Sequence, residues 1–156
     1  NVKLLQKAVI RRVGKFGSEV LILKRSAASK SRPACWDLPG GNSEWPKQNQ
    51  ESAANLHLAD LKREIFEETA LNVNLKDLSL DKLLHFSTYF DSDKQIYTII
   101  AAWLVNYTDT DQASITISSE HQAAAWIKAT DLNNYDFGGA KGSFIVEMLN
   151  QAFAKS

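Results

Sequence analysis

Residues 63–68 read Arg63-Glu64-Ile65-Phe66-Glu67-Glu68, three carboxylates on little more than one helical turn, shortly after a Gly40-Gly41 pair. Residues three and four apart are neighbours on an α-helix, so Glu64 faces both Glu67 and Glu68 while Arg63 reaches Glu67. Like charges at that spacing cost roughly 0.2–0.5 kcal/mol per pair, and one arginine cannot neutralise three acids. A hard divalent cation can. Magnesium and manganese take a few carboxylate and carbonyl oxygens together with water and phosphate, so the cluster reads as a phosphate-directed metal site. The competing reading is a solvated acidic helix face, and the surroundings weigh against it. Upstream, Trp36-Asp37-Leu38-Pro39-Gly40-Gly41 ends an apolar strand abruptly and frees backbone groups at Gly40 and Gly41 to face a ligand.

Leu38-Pro39-Gly40-Gly41, followed by Arg63-Glu64-Ile65-x-Glu67-Glu68-x-Ala70-Leu71, resembles the signature box of the Nudix hydrolases. That pattern is G-x5-E-x7-R-E-U-x-E-E-x-G-U, with U a bulky aliphatic residue. Glu120 and the Trp126-Ile127 pair further on are similarly placed in MutT-like members. The box is stretched here. Gly41 lies 22 positions before Arg63 where the family pattern has 14, so eight residues are extra. Asn55 stands where the isolated box glutamate belongs, or else Glu51-Ser52 opens the helix with four extra residues on either side. Four residues add about one turn and rotate the acidic face by only about 40°, so the second alignment is preferred, with Ser52 as N-cap of a helix over residues 52–69. Ala70 replaces the last box glycine.

The resemblance implies the Nudix fold, an α/β/α sandwich with a mixed sheet, and the residues read independently as an α/β (α+β) domain spanning 1–156. Residues 2–13 and 19–24 form a first strand pair around a Gly14–Ser18 turn, and residues 83–90 and 95–105 a second. A short strand is expected at 114–117 and another at 123–127. Residues 143–154 close the chain as an amphipathic helix with Phe144, Ile145, Met148, Leu149 and Ala152 inward. On the long helix, Leu58, Leu61 and Ile65 share the apolar face. Phe137-Gly138-Gly139-Ala140-Lys141-Gly142 lacks the order of a phosphate loop and reads as a cap for the last helix.

Eighteen basic and eighteen acidic residues cancel, so no global positive footprint for nucleic acid exists. There is no apolar run of membrane-spanning length and no secretory start, and the single Cys35 suits a reducing compartment, so a cytoplasmic protein is expected. A small nucleotide is the expected partner, with a homodimer as a further possibility.

By resemblance, the reaction is hydrolysis of a nucleoside diphosphate linked to another moiety, with Mg2+ or Mn2+ as cofactor. Gly40 (through its carbonyl), Glu64, Glu67, Glu68 and Glu120 are the implied metal ligands. Glu64 serves as ligand or base, Glu120 is the alternative base, and Arg63 orients the glutamates. Arg25 and Gly41 are the implied substrate contacts. His121 is given no role, and Trp45, Tyr89 and Phe137 are candidates to stack on a base. The proline typical of ADP-ribose hydrolases is absent, with His85 and Phe86 in its place, so a nucleoside triphosphate or related nucleotide is favoured. A Nudix-fold binding or regulatory protein is the alternative.

Overall fold

The computed structural model describes residues 1–108 and 114–155. Seven strands and two helices follow one another in the order β1 (Val2–Gly14), β2 (Gly17–Arg25), β3 (Trp36–Asp37), β4 (Gly40–Asn42), α1 (Leu56–Thr69), β5 (Leu83–Asp91), β6 (Ile96–Asn106), β7 (His121–Ile127) and α2 (Ser143–Ala154). The sheet is mixed. β1 and β6 run parallel from Val2↔Tyr97 to Arg11↔Asn106, whereas β1–β2, β1–β4, β2–β3, β2–β7 and β5–β6 are antiparallel.

Strand side chains alternate between faces, and each face carries its own core. Val9, Val20, Ile22, Ala102 and Leu104 meet Ile145, Met148, Leu149 and Ala152 of α2 on one side. Ala8, Ile10, Leu21, Leu23, Ala101 and Trp103 meet Leu61 and Ile65 of α1 on the other. The sheet therefore lies between two helices in an α+β arrangement with three layers. No helix is long and apolar enough to cross a membrane among the described residues.

Two sequence expectations are corrected. α1 begins at Leu56, not at Ser52, and Ser52 caps nothing. Asn55 stands at the N-cap with φ 59°, a left-handed conformation that asparagine tolerates better than most residues and that breaks any helix arriving from residues 52–54. Residues 43–55, between β4 and α1, form neither helix nor strand. Residues 114–117 form no strand either. Ile115 and Ile117 pack on the α1 core, and the Thr116 N–H donates to the Thr69 carbonyl at 3.0 Å, but among the described residues they have no ladder partner. The connection expected before them, residues 109–113, lies outside the described residues.

Buried Gln6 fixes where α1 sits. Its Nε2 donates to the His57 carbonyl at 2.9 Å and to Ser43 Oγ at 3.4 Å, while its Oε1 accepts from Trp103 Nε1 at 3.1 Å. One amide therefore ties β1, β6, the end of β4 and the start of α1, with every polar atom of the side chain satisfied.

Candidate active site

The Pro39-Gly40 turn enters β4 so that Gly40 pairs with Lys7 of β1 and the Ala8 N–H donates to the Pro39 carbonyl at 2.8 Å. Gly40 has φ +145°, and a Cβ there would lie 2.0 Å from the Gln6 carbonyl oxygen, so only glycine fits. A Cβ on Gly41 would meet the Glu64 carboxyl group at 2.8 Å. The two glycines thus let α1 bring its acids against the strand backbone.

Glu68 points into this contact, 5% exposed, and its Oε2 accepts from the Gly40 N–H at 3.2 Å. Burial pushes its pKa up to about 8, with Glu64 and Glu120 adding to the shift, against Lys7 and the Gly40 N–H, which favour the carboxylate. Burial also raises the Glu64 pKa, helped by Glu67 and Glu120 and opposed by Arg63. Arg63 Nη2 donates to Glu64 Oε1 at 3.2 Å, and its Nη1 reaches both oxygens of the exposed Glu67 at 3.1–3.2 Å. Glu120 comes from the turn before β7, where the Ser26 N–H donates to its carbonyl at 3.0 Å. Among the described residues, no three acidic, histidine or cysteine side chains already stand together as a cage for an ion.

Two lobes of one cleft meet at Glu68, Ser119 and Glu120. The acidic lobe, about 310 Å³, is lined further by Glu44, Arg63, Glu64 and Glu67. The other, about 460 Å³, is lined by Lys7, Arg25, Lys30 and His121 together with Ser26, Ser29 and Ser31. Positive charge in this second lobe is organised by Asp37, which is 1% exposed. Its Oδ2 lies 3.3 Å from Lys7 Nζ, 3.0 Å from Arg25 Nη1 and 2.8 Å from Arg32 Nη2. Burial alone would raise the Asp37 pKa, but Lys7, Arg32, the Leu38 N–H and Arg25 together hold it at about 2.

The fold thus gathers Arg25, Gly40, Glu64, Glu68 and Glu120 around one cleft, with Glu67 and Arg63 at its rim, while Gly41 lines neither lobe and lies against the Glu64 carboxyl group. Trp45 is 90% exposed and Tyr89 is exposed, and neither lines the cleft; Phe137 is buried in the α2 core and cannot stack on a ligand. Residues 139–142 form a tight turn leading into α2, in keeping with a cap rather than a phosphate loop. His121 pairs with Arg25 where the β2–β7 register shifts past Gln122, and it lines the cleft. Its Nδ1 is buried without a hydrogen-bond partner among the described residues, and burial lowers the ring pKa despite Asp37 and Glu120 nearby. Lys7, Arg32 and Asp37 received no role from sequence. The available signal was Gln6-Lys7, two adjacent polar residues between Leu4-Leu5 and Ala8-Val9-Ile10, which must point both polar side chains into opposite layers.

Residues 6–147 match the NUDIX domain family. A curated relative, "Nucleoside triphosphatase NudI" of Klebsiella pneumoniae (strain 342), is 32% identical over 123 residues, 77% of this chain and 80% of the relative. The MutT protein from Methanosarcina mazei Go1 superposes with a TM-score of 0.63 at 21% identity, covering 99% of this chain and 96% of that one. The E. coli ORF135 protein gives 0.64 at 18% identity over 99% and 94%. The Nudix domain of Shewanella oneidensis NrtR, solved with ADP ribose, gives 0.61 at 16% identity over 95% and 86%. At these identities the solved structures share the fold. A mixed sheet between two helices, with an acid-bearing helix under a Pro-Gly-Gly turn, is the Nudix fold. The chain belongs to the Nudix hydrolase family.

Proposed function

We propose that this protein hydrolyses nucleoside triphosphates or related nucleoside diphosphate derivatives, with Mg2+ or Mn2+, by water attack at phosphorus. The observation that carries the reading is Glu68, buried at the Gly40 turn beside two further acids with its carboxyl pKa raised to about 8. A carboxylate buried among like charges is electrostatically incomplete, and its hard oxygens suit a small divalent cation. The residues that would hold the ion are Glu64, Glu67, Glu68, Glu120 and the Gly40 carbonyl. When bound, it would neutralise phosphate charge and lower the pKa of water.

The remaining work falls to the chain. Glu64, whose raised pKa brings it nearer to neutral pH, accepts the proton of the attacking water, and Glu120 is the other acid within the cleft for that task. Arg63 holds Glu64 and Glu67 in one orientation through its two amino groups. Arg25 and the Gly41 backbone face the substrate. The triphosphate preference draws on the name of the Klebsiella relative. The half-buried Cys35, with no second cysteine to pair with, fits a reducing cytoplasm.

Phosphate and pyrophosphate release from a panel of nucleotides and nucleotide sugars, with Mg2+ or Mn2+, tests the reading against Glu68→Gln. Turnover should fall by several orders of magnitude in the variant. The binding-protein alternative draws on Arg63, which already engages Glu64 and Glu67. Tight nucleotide binding with no turnover on any substrate would establish it instead.

A further inference from the structure

The second lobe of the cleft carries a charge pattern that the acid chemistry does not use. Lys7 is 7% exposed, followed on β1 by buried Ala8, Val9 and Ile10, yet it lines the cleft together with Gly40 and Glu68. Its contacts are Asp37 Oδ2 at 3.3 Å and the Leu38 carbonyl at 3.4 Å, both at the long end of hydrogen bonding. Asp37 is shared: the same oxygen is closer to Arg25 and to Arg32. Three cations converge on one carboxylate, which leaves an excess of two positive charges in a largely desolvated wall. A buried, under-neutralised ammonium is costly unless a further anion arrives. The acids opposite do not serve as that anion when they hold a cation of their own.

We infer that this lobe is a phosphoryl-binding subsite in which Lys7, fixed by Asp37, contacts a phosphate oxygen of the substrate lying beyond the acidic lobe. Arg25, which is part-exposed and anchored through Nε to the Ser31 carbonyl at 2.8 Å, stands beside it. An ammonium with three donors and only two long contacts retains a donor for that oxygen. The lobe thereby selects nucleotides with a chain of anionic phosphoryl groups over diphosphates whose far end is a neutral sugar. This rests on the reading of the site as a nucleotide hydrolase.

The test compares Lys7→Met and Lys7→Arg with the parent. Met keeps the buried stem and leaves Asp37 paired with Arg25 and Arg32. At saturating free Mg2+, Lys7→Met should raise KM for nucleoside triphosphates roughly tenfold to a hundredfold, the worth of one charge-assisted hydrogen bond. KM for a nucleotide sugar should move much less, and Lys7→Arg should recover most of the loss. A well-folded Lys7→Met with parental KM for triphosphates would overturn the inference. A second measurement needs neither variant nor turnover. Inorganic triphosphate should stabilise the parent against heat and do so more than monophosphate at equal concentration; equal or absent shifts would also overturn it. Failure of the hydrolase reading is seen separately, as no Glu68-dependent turnover on any nucleotide.

Discussion

At the scale of single residues, Ala70 and Glu68 hold conformations or charges that their surroundings oppose. Ala70 ends α1 at φ 63° with its N–H donating to the Phe66 carbonyl, the left-handed cap for which glycine is suited. An L-residue pays about 1–2 kcal/mol there, partly offset by the larger unfolded entropy of glycine, so Ala70→Gly should raise unfolding free energy by about 0.5–1 kcal/mol. Urea denaturation checks this, and an unchanged midpoint would place the strain elsewhere. Glu68 gives a pH signature. Its folded pKa of about 8 exceeds the ordinary 4.5, so between those values the metal-free fold binds a proton that the unfolded chain does not. That contribution to stability is full below pH 4.5 and is lost as pH rises through 8. In chelator, the melting temperature of Glu68→Gln should therefore gain on the parent as pH goes from 5 to 8, and Mg2+ at pH 8 should stabilise the parent more than the variant. A constant gap across that range would mean that Glu68 is charged throughout.

At the scale of elements, the sequence made some features plain and hid others for definite reasons. Both hairpins and α2 were legible because their apolar periods are strong and glycine or polar turns bound them. The acidic face of α1 was legible because charge spacing on a helix needs no tertiary knowledge. Its start was not, since Ser52 has cap chemistry and only the backbone shows that Asn55 breaks the helix. Residues 114–117 show the opposite failure: Ile115 and Ile117 alternate because both pack on the core, and a period of two reports one buried face rather than a ladder partner. The loop between β4 and α1 has a geometry with a direct consequence. Ser43 and His57 meet at the Gln6 amide, so the ends of the intervening loop already lie together, and residues 46–53 are exposed throughout. Deleting 46–53 should leave the melting temperature within a few degrees and turnover within about threefold, because shortening a closed loop changes its entropy little. Gly41→Ala should do the reverse, displacing the Glu64 carboxyl group and reducing kcat with little effect on stability, because the Cβ meets a flexible side-chain end. Steady-state kinetics on the two proteins separates these outcomes.

Across the whole molecule, a net charge of zero conceals a bipolar cleft, with acids delivered by α1 on one side and cations delivered by β1, β2 and the loop after β2 on the other. Composition could not reveal that separation, because it depends on the parallel β1–β6 pairing and on β4 folding back to β1, both long-range contacts. Asp37 joins the halves: it pairs with Leu23 in the sheet, binds three cations and leads into the Pro39-Gly40 turn against which Glu68 rests. Its depressed pKa makes it a determinant of acid stability. The contribution is present above the ordinary value of 3.8 and is lost as pH falls through about 2. Replacing it by asparagine leaves Lys7 and two arginines without their anion in a buried wall, a change that costs about 3–5 kcal/mol. Asp37→Asn should therefore be strongly destabilised at pH 7, and the gap to the parent should narrow between pH 4 and pH 2 as the parent's own carboxylate takes up its proton. Urea unfolding of both proteins across that range reads the effect directly. A gap that stayed constant to pH 2 would mean that Asp37 acts through its hydrogen-bonding shape, not its charge, and the cations of the second lobe would then need another source of order.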